Sequence, residues 1–99
     1  MVKEYILCSA VWFDDGREYV HQPDNIERGY VICGRRHHNC FAILGQLLDE
    51  DKNYKTLEDV QGFLTSLNKF VDRKEAGIVA FNAGQTKELK ETLYSEDLW

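Results

Sequence analysis

The run Asp72-Arg73-Lys74-Glu75 constrains the fold of this chain more than any other stretch. An Asp three residues ahead of a Glu is a capping box: the Asp72 carboxylate accepts the Glu75 backbone N–H, and Glu75 reaches back to the cap. A helix therefore starts here. It buries Ala76, Val79, Ala80 and Ala83 and ends at Gly84, where a left-handed residue costs least. Just upstream, Phe63-Leu64-Thr65 and Phe70-Val71 read as strands joined by the turn residues Ser66-Leu67-Asn68-Lys69. A hairpin thus feeds the helix.

The N-terminal half gives a similar pattern. Tyr5 to Phe13 is rich in β-branched and aromatic residues, Asp14-Asp15-Gly16 is a turn, and Arg17 to His21 is expected to return as a second strand. Pro23-Asp24-Asn25 punctuates the chain before a short strand, Gly29 to Cys33, that stops at Gly34. From Cys40 to Glu50, Phe41, Leu44, Leu47 and Leu48 recur at helical spacing, with Asn39 as the expected cap. Asp49 to Tyr54 is charged and polar, an exposed connector. Gln85 to Trp99 is too polar to fold alone but ends in Leu98-Trp99, so this tail should pack on the domain or on a partner subunit. The prediction is one α+β domain over residues 1–99, an antiparallel β-sheet carrying two α-helices.

Ninety-nine residues leave room for one core, since a chain this short buries roughly 60–65% of the surface it exposes when unfolded. With 43% hydrophobic residues it is too apolar to be disordered, and its apolar runs are too short to cross a membrane. Cys8, Cys33 and Cys40 are an odd, irregularly spaced set, and Met1-Val2-Lys3-Glu4 does not open a signal peptide. Reduced thiols in the cytosol are expected. A net charge of −5 argues against binding a nucleic acid polymer, which needs a broad basic face. Any anion site must be local.

The densest cluster of functional side chains is Arg35-Arg36-His37-His38-Asn39-Cys40, where a strand hands over to a helix. Helix N-termini present free N–H groups and a positive dipole end, and two guanidinium forks add to the attraction, so a phosphate suits the place. The alternative is local: an arginine paired with a surface carboxylate and a half-buried, satisfied histidine. Zinc is a second reading, through Cys33, His37, His38 and Cys40, but the second ligand pair of a tetrahedral site is missing downstream. A metal-dependent nuclease would need further ligands on the following helix, which carries no histidine. Cys40 near a helix start and beside His38 resembles an activated nucleophile, yet no third group orients the pair, and free cysteine is commonly a small buried hydrophobe. Trp12, Phe63, Phe70 and Phe81 are either stacking platforms for a base or core residues. Binding without catalysis, cofactor or metal is the expectation.

The order of hairpin, G-R-R-H-H-x-C-F helix, Q-G-F-L-T strand, F-V-D-R-K-E-A helix, A-G-Q and the ending Leu93-Tyr94-Ser95-Glu96-Asp97-Leu98-Trp99 resembles a group of small phage proteins. Within that group the chain looks most like the first Thoeris anti-defence family, the viral sponges. The resemblance implies a protein, acting in the cytoplasm of the infected bacterial host, that binds a cyclic ADP-ribose isomer made by an immune sensor and withholds it uncleaved. Some members also bind cyclic oligonucleotides. It implies a homodimer or an assembly of dimers, with Arg35, Arg36, Phe63, Asp72, Arg73 and the tail about the ligand; His37, His38 and Thr65, next to these residues in sequence, complete the expected site. This chain departs from the pattern at Asp72, where an uncharged Asn is expected, and in a tail that offers Lys87 and Lys90 but no arginine. From a different class comes the reading of a phage adaptor that grips a host protein with its aromatic tail and first hairpin.

Overall fold

The computed structural model describes residues 3–47 and 59–99. Strand β1 (Ile6–Phe13) is followed by β2 (Tyr30–Gly34), helix α1 (His37–Leu47), β3 (Asp59–Thr65), β4 (Phe70–Asp72) and α2 (Arg73–Asn82); a 3₁₀ turn at Ser95–Asp97 lies in the tail. The strands form one sheet in the order β2-β1-β3-β4 with every neighbouring pair antiparallel. The expected α+β architecture is the one observed.

Register explains how the sheet is faced. Ser9 pairs with Gly34 on one side and Phe63 on the other, Val11 with Ile32 and Gln61, and Phe63 with Val71. With a period of two, this set points to one face, and both helices cover it. Under α2 the buried cluster is Ile6, Phe63, Val71, Ala76, Ala80 and Leu93; under α1 it is Val11, Phe13, Ile32, Cys40 and Leu44. Cys8, Ala10, Trp12, Cys33, Leu64 and Phe70 alternate to the other face.

The expected strand at Arg17 to His21 does not form; β1 pairs instead with β2, from Phe13 opposite Tyr30 to Ser9 opposite Gly34. Two local competitors decide this. Asp14 and Asp15 carboxylates accept the Gly16 and Arg17 backbone N–H groups, at 2.9 and 3.0 Å, and His21 is left-handed at φ 63°. Such turns take donors that a ladder would need. The loop then reaches the far edge of the sheet. There the Asn25 side-chain amide donates to the Phe70 carbonyl and accepts the Phe70 N–H, at 2.6 and 2.8 Å. Gln22 accepts the Val31 N–H on β2, and Gln85 both donates to and accepts from the Ile6 backbone on β1. Three carboxamides thus satisfy strand groups that would otherwise invite another chain.

Helix α1 starts at His37, earlier than Cys40, because Asn39 acts from inside its first turn: its Oδ1 accepts the Arg36 N–H at 3.1 Å. The predicted end of that helix at Leu48–Glu50 and the connector through Tyr54 lie outside the described residues. At α2 the Asp72 carboxylate accepts the Glu75 N–H at 2.8 Å, the half of the capping box that forms. The helix closes on Gly84 (φ 77°), whose N–H bonds the Phe81 carbonyl while the Gln85 N–H bonds that of Ala80. This is a Schellman ending.

The tail packs on the domain. Leu93 is fully buried, its N–H donates to the Arg73 carbonyl at 2.9 Å, and Leu98 and Trp99 lie against the α2 cluster. Gly77 admits it: a Cβ there would come within 2.1 Å of the Lys90 carbonyl oxygen.

Candidate functional site

Both helices begin against the middle of β3, and the tail threads between their N-termini. His37, the first residue of α1, is buried there. Its Nε2 lies 2.7 Å from the Gly62 carbonyl and its Nδ1 2.8 Å from the Ser95 hydroxyl. A carbonyl only accepts, so Nε2 carries the proton and Nδ1 accepts from Ser95. Burial is the main cause holding its pKa below the ordinary histidine value, so the ring is neutral at neutral pH. The Phe63 ring meets it edge to face at a centroid distance of 5.0 Å. Arg73, at the start of α2, donates to the Leu93 carbonyl at 2.9 Å and to Gln61, and lies 4.7 Å from the Tyr94 ring centroid. Arg36 donates to the Trp99 carbonyl.

Outside this packed layer, Arg35, Arg36, His38 and Asn39 line an open concavity of about 490 Å3. Arg35 and His38 are exposed and Arg36 is half-buried. The sequence-predicted residues therefore divide by depth. Arg35, Arg36 and His38 come together at the surface, whereas His37, Phe63 and Thr65 are buried. Thr65 is engaged elsewhere, its hydroxyl donating to Glu4 at 2.7 Å and accepting the Leu67 N–H. Asp72 is exposed at its cap and lines a separate groove of about 400 Å3 with Trp12, Phe70 and Glu75. Arg73 sits at the tail, half-buried. Of the aromatic platforms, Phe63 is core, Phe70 is buried at the floor of that groove beside Trp12, and Phe81 is exposed.

The four residues weighed as zinc ligands do not converge. Cys33 is on the helix-free face, Cys40 is in the core under α1, His37 is spent on Gly62 and Ser95, and His38 faces solvent. Among the described residues no three His, Cys, Asp or Glu side chains come together as metal ligands. The Cys40 thiol, which faces the Ser9 and Arg36 carbonyls, is pushed up to about 11 chiefly by burial. At neutral pH it stays protonated, so its place at a helix start does not activate it.

Ser95 was not legible as part of this arrangement. It sits 58 residues from His37, in a polar tail, and nothing local marks it. Asn39 carried a signal, the cap preference, that placed it at the right turn of the chain.

Among the described residues no helix is long and apolar enough to cross a membrane. No curated protein and no solved structure matches the chain. A family model does match, over residues 5–99, that of the phage T4 y16D protein. With nearly the whole sequence covered, from β1 through the tail, the chain belongs to the phage T4 y16D protein family and is a small phage protein.

Proposed function

We propose that this phage protein binds a phosphate-bearing cyclic nucleotide, a cyclic ADP-ribose isomer made by bacterial immune signalling, and holds it uncleaved in the host cytoplasm. The observation that carries the reading is the concavity of Arg35, Arg36, His38 and Asn39 at the start of α1, a concentrated basic site on a chain of net charge −5. Guanidinium forks bind phosphate oxygens through two parallel N–H donors, and the helix N-terminus favours the same charge. The predicted contacts are Arg35, Arg36 and His38. His37 and Phe63 would hold that wall rigid from beneath and Arg73 would fix the tail beside it, while Thr65 and Asp72 serve the β3–β4 turn and the α2 cap.

The concavity is open, whereas small-ligand sites usually enclose most of the ligand surface. We therefore propose a second copy as the other wall, giving a homodimer. Sequestration needs no chemistry, and the neutral, doubly bonded His37 and the protonated Cys40 are not poised to supply any. The adaptor reading draws on a free tail and a first hairpin, but Leu98 and Trp99 pack on the α2 cluster and the hairpin does not form.

The test is release. The protein is loaded with a cyclic ADP-ribose isomer, washed, heat-denatured and cleared, and the supernatant is analysed by mass spectrometry. Intact ligand in proportion to protein is expected. A stoichiometric hydrolysed product would replace the sponge with an enzyme, and no retained ligand would refute nucleotide binding.

A further inference from the structure

The groove of about 400 Å3 beside Trp12 and Phe70 shares no lining residue with the arginine concavity. Register explains its floor. Trp12 stands opposite Val60 and Phe70 opposite Leu64, so both rings are on the helix-free face. Their centroids are 6.4 Å apart with the planes inclined at 55°, and a Cβ at Gly62 would come within 2.7 Å of the Phe70 ring, so only glycine lets that ring lie across β3. The indole is held at its edge: Nε1 donates to the Arg28 carbonyl at 2.8 Å, and Gly29 (φ 75°) has no room for a Cβ beside that nitrogen. Val60 and Ile26 complete an apolar lining.

Charge decides what such a floor accepts. Glu27 on the loop and Asp72 and Glu75 at the start of α2 put three carboxylates around it, against the one guanidinium of Arg28, which pairs with Asp14 at 3.5 Å. Among the described residues no Lys or Arg forms an ion pair with Glu27, Asp72 or Glu75. The positive end of α2 opens here but is already answered by Asp72, whose carboxylate accepts the Glu75 N–H at 2.8 Å. An anion is repelled and a cation attracted. The polar groups beside the rings are spent, the Trp12 N–H on Arg28 and the Asn25 carboxamide on both backbone groups of Phe70. A primary ammonium or a guanidinium would leave N–H donors unmet at the floor, whereas an ammonium clothed in methyl groups has none to satisfy. Asn25 also closes β4 at Phe70, so an extended peptide finds no strand edge to join there.

We propose that this groove is a binding site for a small quaternary ammonium, its methyl groups against Trp12 and Phe70 and its charge among Glu27, Asp72 and Glu75. The face of an aromatic ring, most of all that of tryptophan, attracts a cation within about 6 Å of its centroid. A volume of about 400 Å3 suits so small a ligand, and the pinned indole is ordered before binding, which lowers the cost of capture.

The experiment is nuclear magnetic resonance on the full chain, titrated with choline and, separately, with its uncharged isostere in which carbon replaces nitrogen. The two tryptophans, Trp12 and Trp99, give two indole N–H signals, which Trp12→Phe assigns. Choline should shift the Trp12 signal saturably and bind ~10-fold or more tightly than the isostere. Glu27→Gln/Glu75→Gln, at two exposed positions, should weaken choline binding by roughly 3–10-fold while the spectrum stays that of a folded chain. Trp12→Leu should abolish the broadening of the choline methyl signal. Equal affinity for choline and the isostere, undiminished affinity in the folded Glu27→Gln/Glu75→Gln variant, or a response of Trp99 alone would overturn the proposal. Tighter binding of an oligo-arginine peptide than of choline would also overturn it, giving the groove to a protein partner.

Discussion

His37 joins three parts of the chain through one imidazole: the start of α1, the middle of β3 and the tail. A proton added to Nδ1 would displace the Ser95 hydrogen and place a charge in the core. The unfolded chain accepts that proton near pH 6.5, while burial lowers the folded value, so the unfolded state binds more protons below that pH. The stability contributed by neutral His37 is complete above about pH 6.5 and declines as pH falls from there toward the folded pKa. Melting temperature followed from pH 8 to pH 5 should show this decline, and His37→Gln should flatten it. An equal slope in the variant would assign the dependence to other groups. His37→Ala orphans both partners and should cost at least ~2 kcal/mol in denaturant unfolding. A half-buried, satisfied histidine was one of the sequence readings, but which histidine and which partners were not legible, because His37 meets Gly62 and Ser95 across 25 and 58 residues. His37 and His38 are identical neighbours in the string, and only tertiary contacts send one inward and the other to solvent.

Among the elements, β3, β4 and α2 were legible because their signals are local. A turn sequence, an N-cap and a helical period act within a few residues, so Asp72 and Gly84 mark both ends of α2 in the sequence. The partner of β1 was not legible in the same way. Strand pairing is a long-range choice, and the Asp14 and Asp15 turns remove the nearest candidate, leaving β2. Asp72→Ala should lower stability by ~0.5–2 kcal/mol through loss of the cap, read by urea denaturation. An unchanged midpoint would mean that the cap bond contributes nothing. The tail is held as an element by Leu93 in the core and by the bare Gly77 surface beneath Lys90. Leu93→Ala should cost ~2–5 kcal/mol. Gly77→Ala should lift the tail, seen as increased proteolysis within residues 86–99 at a temperature where the sheet remains folded. Equal resistance to that of the parent protein would show that the chain passes elsewhere.

For the molecule as a whole, charge and shape point the same way. A chain of net charge −5 carries a basic concavity beside a helix N-terminus, on the half of the domain where both helices start and the tail docks. The cluster of arginines and histidines was legible in the sequence, but its depth was not: of the eight residues expected about a ligand, His37, Phe63 and Thr65 are buried. Phosphate binding through exposed guanidinium groups should weaken as salt shortens the screening length from about 10 Å at 0.1 M to about 3 Å at 1 M. Calorimetry with a cyclic ADP-ribose isomer, on the parent protein, Arg35→Ala and the Arg35→Ala/Arg36→Ala pair, tests the central claim most directly. Arg35→Ala separates ligand contact from tail docking, since Arg36 also holds the Trp99 carbonyl. Losing charge-assisted hydrogen bonds worth ~1.5–3 kcal/mol each should weaken Kd by one to two decades for Arg35→Ala and two to four for the pair, with the parent's melting behaviour kept by Arg35→Ala. An affinity in both variants equal to that of the parent would contradict the account.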